Sequence, residues 1–453
     1  MIKIVTDLHL HSKYSRAVSQ QMEPKTMALW ADKKGIDLIA TADWTHPFWL
    51  KELESQLKET ASGVFQLKDK SAKAKFVLST EISSIYSQDG QTRRIHNLVL
   101  VPSFKTAHKI NDQLKNKGCN LASDGRPIIG LSSIELAELV WSKDQDSLII
   151  PAHVWTPWFA LYGSKSGFDS LKRCFGQYSD NIYAIETGLS SDPAMNWRIK
   201  DLENKSIVSF SDSHSPPKLG RELTIFSLKN KNQTKKTEFS FNDLTEALKQ
   251  SKDANWQIAY TVEFYPEEGK YHYTGHRNCK VRFSPAETRT KGTTCPVCGR
   301  SLTLGVMHRV EQLANEPEIK PIKKQNQFGL TGYYHPTNEK RPPYVMLVPL
   351  MEIIAESFSM GVSSQKVTNE YNNLTKNLGS EYDILTQTKT KDIKQISNEK
   401  IAEGIEKVRK GEIVVEPGFD GVFGIVKIWK KDENKKEELL QNHLSQEEQM
   451  SLF

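Results

Sequence analysis

Six short apolar runs in the first half of this 453-residue chain each lead into a histidine or a carboxylate. Ile4-Val5 lead into Asp7, His9 and His11, and Ile36 to Ala40 lead into Asp43 and His46. Phe76 to Leu78 lead into Glu81, and Leu148 to Ile150 into His153. Ile182 to Ile185 lead into Glu186, and Ile207 to Phe210 into Asp212 and His214. Imidazoles with carboxylates, and no thiolate among them, suit a cluster of divalent ions. Carboxylates such as Glu81 and Asp212 can bridge, which allows two or three zinc, manganese or magnesium ions within roughly 4 Å of one another. That arrangement clamps the attacking and leaving oxygens of a phosphoryl transfer, and one ion lowers the pKa of a coordinated water toward about 7. Phosphoester hydrolysis is the expected chemistry, with Asp212, Glu81 and His153 at its centre. Asp7 and Glu186 stand in a second tier: Asp7 could orient a liganding imidazole, and Glu186 could cap a strand end.

Elements that bring such distant residues together are the strands of a parallel barrel, whose functional groups sit where strands end and βα loops begin. His96 differs, because it begins its apolar run, Ile95 to Val101, instead of ending it. Asp89-Gly90 lies before that run and suits a tight hairpin turn, so the segment carrying His96 should fold back antiparallel beside the one carrying Glu81. Counting outward from the turn puts His96 opposite Ser83, close to Glu81.

The motif series Asp-Leu-His-Leu-His-Ser at 7–12, Thr-Ala-Asp-Trp-Thr-His-Pro at 41–47, Glu81, His96, Pro-Ala-His at 151–153 and Ser-Asp-Ser-His at 211–214 resembles that of the polymerase and histidinol phosphatase (PHP) family. The resemblance implies a PHP-type distorted (β/α)7 barrel with a metal-dependent phosphoesterase site that includes His9, His11, Asp43, His46, Glu81, His96, His153, Asp212 and His214. Two departures stand out. Where many members have Thr-Asp-His this chain has Asp43-Trp44 with His46 as the nearest histidine, and the loop after His11 offers Arg16 where a ligand is usual.

Length allows the barrel, expected over residues 1–228, plus smaller modules. No run approaches the ~20 apolar residues needed to span a bilayer, and the chain opens on a strand, so a cytoplasmic protein is expected. Cys119 and Cys174 stand alone, whereas His276, Cys279, Cys295 and Cys298 form two knuckles at the spacing of a closed, structural zinc site. Cys295-x-x-Cys298 as a redox pair is the weaker reading, since no βα pattern follows; His272 is a spare histidine. A connector is expected at 229–254, with Phe241, Leu244 and Leu248 at helical spacing, then the zinc-binding module at 255–315. A C-terminal, mainly helical α+β segment follows at 316–430, with an extended entry at Arg341 to Val345, helices near 350–358, 364–377 and 398–410, and the Gly-rich run Pro417 to Gly424.

Net charge is only +6, yet Arg277, Lys280, Arg282, Arg289, Lys291 and Arg300 gather in the zinc module, as a polyanion-binding surface would require. The barrel, the knuckles, Gly-Val-Met-His-Arg-Val-Glu-Gln-Leu at 305–313 and the Pro-Gly-Phe-Asp-Gly-Val segment together are similar to the endonuclease Q family, over nearly the whole chain to about residue 430. That likeness implies a DNA repair nuclease that cuts the phosphodiester 5′ to a deaminated base or an abasic site. Such an enzyme must take the base out of the stack. Trp44, Trp155 and Trp158 lie near the expected ligands and could stack on that base, while Arg16, Lys218 and Arg221 could hold flanking phosphates, alongside Arg277 and Arg282. The tail, 431–453, ends in Gln449, Met450, Ser451, Leu452 and Phe453, which resemble the short peptide by which bacterial DNA enzymes dock into the sliding clamp. Two other readings compete: a small-molecule phosphoesterase such as a histidinol-phosphate phosphatase, and a non-enzymatic DNA- or clamp-binding scaffold.

Overall fold

The computed structural model describes residues 2–230 and 238–430; the clamp-like motif at Gln449, Met450, Leu452 and Phe453 lies outside them. The fold is mixed α/β, built on one large mixed sheet. Lys3–Asp7 lies within it, parallel to Leu38–Ala40 and antiparallel to Leu223–Leu228. Leu38–Ala40 runs parallel to the long strand Lys75–Gln88, which turns at Asp89-Gly90 into Gln91–Val101. Asp89 and Gly90 both take positive φ, 53° and 71°, as a two-residue hairpin turn of this twist demands. Ser83 faces His96 across the pair, as counting from the turn predicts.

Gln91–Val101 pairs antiparallel with Leu148–Pro151. Ala184–Glu186 and Ser206–Val208 form a separate parallel pair that fills the remaining gap. The Val154 N–H donates to the Glu186 carbonyl at 3.1 Å, and the Ser209 N–H to Thr224 Oγ1 at 2.9 Å, so the strands come full circle to Leu223–Leu228. Side chains along each strand alternate between two cores, because successive Cβ atoms point to opposite faces. Val5, Ile39, Phe76, Val99, Ile149 and Ile185 fall in one. Leu38, Val77, Leu98, Leu100, Ile150 and Val208 fall in the other. With both faces buried, the strands read as continuous apolar runs. Those runs end where the chemistry begins.

Beyond the ring, Trp256–Glu263 pairs with Leu223–Leu228 and, on its other edge, with Tyr344–Met346. One sheet therefore crosses the expected boundaries at 228, 254 and 315. The helix read from Phe241, Leu244 and Leu248 is present as Phe241–Leu248, opened by a capping box of Ser240 and Asp243. In the cysteine-containing module, Thr274–His276 and Val281–Phe283 make a short hairpin over a core of only Val281, Phe283, Cys295 and Leu302. A core that small needs a staple.

The C-terminal helices Leu350–Ser357, Gln365–Leu378 and Glu399–Lys410 match the three expected. Two more, Glu381–Thr386 and Thr390–Ile396, escaped the sequence reading because each is under two turns long and carries too few apolar residues to show a period. Arg409 binds this bundle together: buried, it donates to the carbonyls of Leu385, Ile384, Thr388 and Phe328. Lys34 on the helix after the first strand meets Glu381 at 2.7 Å, and both are buried where the bundle packs on the barrel side. Among the described residues no helix is long and apolar enough to cross a membrane.

Candidate metal centre

Loops after the strands, together with Glu81 and His96 from within the hairpin pair, deliver seven histidine and acid side chains to one face of the ring. His9, His11 and Asp212 present donor atoms within 4.8 Å of one another, and so do Glu81, His96 and His153. Glu81 joins the groups: Oε1 lies 2.6 Å from His96 Nδ1 and 3.0 Å from His153 Nε2, while Oε2 lies 3.5 Å from His11 Nε2. Asp212 Oδ1 lies 3.0 Å from His11 Nε2 and 3.5 Å from His9 Nε2. His214 borders the cluster, its ring 4.7 Å from that of His11 and its Nδ1 turned onto the Asp212 carbonyl at 2.7 Å. Asp43, His153 and Asp212 all sit at positive φ, 39°, 30° and 48°. Non-glycine backbone held there is strained, and such strain collects at functional sites.

The fit to metal ions shows in what these atoms lack. His9 Nε2, His11 Nε2 and Asp212 Oδ1 are buried and make no hydrogen bond, although they point at one another. Orphaned donors converging in a buried site are costly unless a ligand satisfies them. Charges are complementary: burial disfavours a charged His11, but Asp212 and Asp43 outweigh it and raise the imidazole to about 9. Burial likewise opposes charge on Glu81, yet the surrounding histidines, His96 foremost, hold its carboxyl well below the usual range.

Second contacts fix the rings. Glu186 accepts from His9 Nδ1 at 2.9 Å and from the His153 backbone N–H at 2.8 Å, so it orients one imidazole and one strand end at once. Asp43 faces His11 Nδ1 at 3.3 Å, and its other oxygen accepts from the Ser12 N–H, the Ser12 hydroxyl and the Ser15 hydroxyl. Its place is behind His11 and outside the grouped donors. Asp7 is different from the expected imidazole partner: its oxygens accept from the Ser211 N–H and hydroxyl and the Gly220 N–H, which pins the loop carrying Asp212. Burial, only partly offset by those bonds, pushes Asp7 up to about 6. His46 stays outside the groups, stacked on Tyr14 with ring centroids 4.3 Å apart at the start of Pro47–Gln56. Spacing alone could not separate it from a ligand, because Trp44 and Thr45 turn the chain before it.

A cleft of about 590 Å³ opens beside the cluster, with Asp212, His96 and His153 on its floor and Trp158, Phe159, Tyr271 and Phe423 among its walls. Of the three tryptophans considered for base stacking, Trp158 lies in this cleft, 36% exposed, edge-on to Tyr271 at 5.6 Å. Trp44 and Trp155 do not. Both are fully buried, Trp44 donating to the Val99 carbonyl and Trp155 to Asn196 Oδ1, so barrel packing consumes them. Arg126 is a site residue that the sequence reading missed, since it sits in a loop with no neighbouring motif; its Nη1 meets Glu81 Oε2 at 3.1 Å.

Among the basic residues, Arg16 is 79% exposed and loosely paired with Asp124. Lys218 and Arg221 both meet Glu352 Oε1, at 2.8 and 3.1 Å, in the first turn of Leu350–Ser357, so they bridge the ring to the helical bundle. Arg277 and Arg282 are exposed on the module, Arg282 donating to the Pro417 carbonyl. The module's own donors meet: His276, Cys279, Cys295 and Cys298 lie within 4.8 Å of one another. His272 is buried elsewhere, and desolvation lowers it to about 4.

Residues 349–412 match the family model of the MJ0043 C-terminal domain. The chain is 32% identical over 271 residues to the uncharacterized protein MJ0043 of Methanocaldococcus jannaschii, 59% of this chain but only 30% of that one's length. It is similar over 96% of its length to the crystal structure of the lesion-specific endonuclease PfuEndoQ from Pyrococcus furiosus, covering 99% of that chain, with a TM-score of 0.78 and 29% identity. The structure of endonuclease Q in complex with a 27-mer duplex substrate, with an abasic lesion at the active site, matches with a TM-score of 0.78 and 30% identity, over 95% of this chain and 98% of that one.

Proposed function

The chain belongs to the endonuclease Q family, and on that premise we propose that it is a DNA repair endonuclease that hydrolyses the phosphodiester 5′ to uracil, hypoxanthine, xanthine or an abasic site, leaving a 3′-hydroxyl and a 5′-phosphate. The observation that carries this reading is the joining of two donor groups through the buried Glu81, beside an aromatic-walled cleft that His96, His153 and Asp212 line. The circle of seven strands from Lys3–Asp7 to Ser206–Val208, closed by Leu223–Leu228, supports a PHP-type distorted barrel.

His9, His11 and Asp212 would hold one divalent ion and Glu81, His96 and His153 a second, with His214 at the edge for a third. Such ions, when bound, stabilise negative charge on the attacking and leaving oxygens and lower the pKa of water. The protein's own contribution is orientation. Glu186 and Asp43 fix the His9 and His11 rings, and Asp7 fixes the loop that presents Asp212. Arg126 places a fixed positive charge against Glu81.

Unstacking a base costs a few kcal/mol and least for a mismatched or missing one, so extrusion itself selects lesions. Trp158 and Tyr271 give the extruded base an aromatic wall within reach of Asp212. Exposed Arg277 and Arg282 offer phosphate contacts on a module that a structural zinc at His276, Cys279, Cys295 and Cys298 would hold together. A small-molecule phosphoesterase would have no use for that module or for the basic surface.

The test is incubation with manganese or magnesium on labelled duplexes carrying one uracil, hypoxanthine, xanthine or abasic site, beside Asp212→Ala. Cutting one bond 5′ of the lesion, absent from the variant and from undamaged DNA, is expected. Intact DNA together with phosphate release from small phosphoesters would reject the reading.

A further inference from the structure

The Gly-rich segment Pro417 to Gly424, between the short strands Val414–Glu416 and Ile425–Lys427, has no part in the chemistry described so far, yet it is tied to its neighbours by several backbone hydrogen bonds. The Gly418, Gly421 and Gly424 N–H groups donate to the carbonyls of Glu267, Lys270 and Glu268 at 2.8, 2.8 and 2.9 Å, and the Gly418 carbonyl accepts from Tyr273. Asp420 accepts from the Arg277 N–H at 2.7 Å and from the Thr303 hydroxyl. Contact is backbone to backbone: a Cβ at Gly424 would lie 2.1 Å from the Glu267 carbonyl oxygen, and one at Gly418 2.6 Å from that of Gly269.

Phe419 is turned inward, close enough to Gly275 that a Cβ there would lie 2.5 Å from its ring. Phe423 is turned outward. It is 62% exposed, lines the cleft that has Asp212 and His153 on its floor, and has the Lys270 ammonium 5.2 Å from its ring centre. A large apolar ring is costly to display in water, and a rigid loop cannot fold it away. Other apolar side chains are as exposed, Phe48 and Val297 among them, but Phe423 is the one fixed by a tied loop at the edge of the cleft, where an entering partner would meet it.

On the nuclease reading, that partner is a duplex with one nucleotide drawn out. Extrusion leaves a gap in the base stack, and an apolar side chain inserted between base steps offsets the lost stacking and blocks the base from returning. We propose that Phe423 is this wedge: held by the Pro417–Gly424 loop at the cleft mouth, it enters the duplex at the lesion and holds the extruded nucleotide toward Asp212. It is a positioning and specificity residue, and it takes no part in breaking the bond.

The test compares Phe423→Ala, Phe423→Leu and Phe423→Trp in the full chain, in single-turnover cutting of the same uracil-containing sequence as duplex and as single strand. Phe423→Ala should slow duplex cutting ~10–100-fold and leave single-strand cutting within about twofold, because only a duplex has a stack to open. Leu and Trp should restore most of the rate. A second readout does not need cutting: 2-aminopurine placed beside the lesion should brighten when Asp212→Ala protein binds and stay dim with the Asp212→Ala, Phe423→Ala double variant. Duplex cutting and aminopurine signal equal to those of the parent protein, or equal slowing on both substrates, would overturn the wedge; equal slowing would make Phe423 a wall of the base pocket. Failure of the nuclease reading is separate, since the unsubstituted protein would then cut neither substrate. The exposed ring predicts an unchanged Tm for Phe423→Ala, which guards against misfolding.

Discussion

Among the described residues, metal-type donors gather in two places, and the places are opposites. In the ring, His9, His11, Glu81, His96, His153 and Asp212 come from five distant segments, are mostly buried, and meet beside a cleft that three of them line. In the module, His276, Cys279, Cys295 and Cys298 come from 23 consecutive residues on loops and meet over a core of a few side chains. A site made of soft thiolates with four protein donors is closed and contributes to folding. A site made of imidazoles and shared carboxylates beside open space keeps room for substrate. Removing a donor should therefore stop chemistry in the first place and dissolve local structure in the second.

The sharpest way to break that contrast is Asp212→Ala. Several kcal/mol of charge stabilisation would go, so incision should fall at least about 10³-fold, with Tm little changed. A large loss of Tm would mean that the cluster is structural after all.

How far the sequence reveals each place follows from the same contrast. The knuckles are local, so spacing alone names all four donors. The ring cluster is non-local, yet the strand-end pattern still points to five of its six grouped donors, and Asp89-Gly90 places the sixth, His96, against Ser83. What spacing cannot do is separate ligands from the groups behind them. Asp43, Glu186 and Asp7 have the right type at the right strand ends, but their oxygens are taken by His11, His9 and Ser211. Arg126 is not legible in the sequence because its loop bears no pattern, and Trp44 and Trp155 are buried away from the cleft, proximity in sequence saying nothing about which face a ring takes.

Cys295→Ser comes next in size. It should release one equivalent of zinc by elemental analysis and loosen the module, since metal affinity is folding energy in so small a unit. Affinity for DNA should drop about 10–100-fold with a shallower salt dependence as Arg277 and Arg282 lose their fixed places. Retained zinc and unchanged salt slope would remove the module from the account.

A smaller effect separates the tryptophans. Trp158→Ala should weaken lesion binding by about 1–3 kcal/mol, the range for loss of one base–aromatic stack, at unchanged Tm. Trp155→Ala should instead cost about 3–5 kcal/mol of stability, as a buried ring does. Titrations and melting curves of the pair would show whether the two effects sort as stated.

The smallest effect is on pH. Burial, with the Asp192 charge adding to it, pushes Glu263 up to about 8 from an ordinary 4.5, against the hydroxyls of Ser209, Thr261 and Thr187 that donate to it. The folded state holds a proton that the unfolded state has released, so this contribution to stability is full below about pH 4.5 and is lost as pH rises toward about 8. Glu263→Gln should flatten that decline, raising Tm at pH 8 relative to the parent and changing it little at pH 5. Parallel curves for the two proteins would show that Glu263 is not held neutral.

On the proposed function, DNA is cut at the ring cluster on the 5′ side of a lesion. The most direct measurement maps the product ends of a duplex with one uracil, labelled in turn at either end of the damaged strand, after reaction with manganese or magnesium. The expected result is a single cut with the uracil retained on the downstream fragment, a 3′-hydroxyl that a polymerase extends and a 5′-phosphate that a ligase accepts. A cut on the 3′ side, loss of the uracil as free base, or equal cutting of undamaged DNA would contradict it.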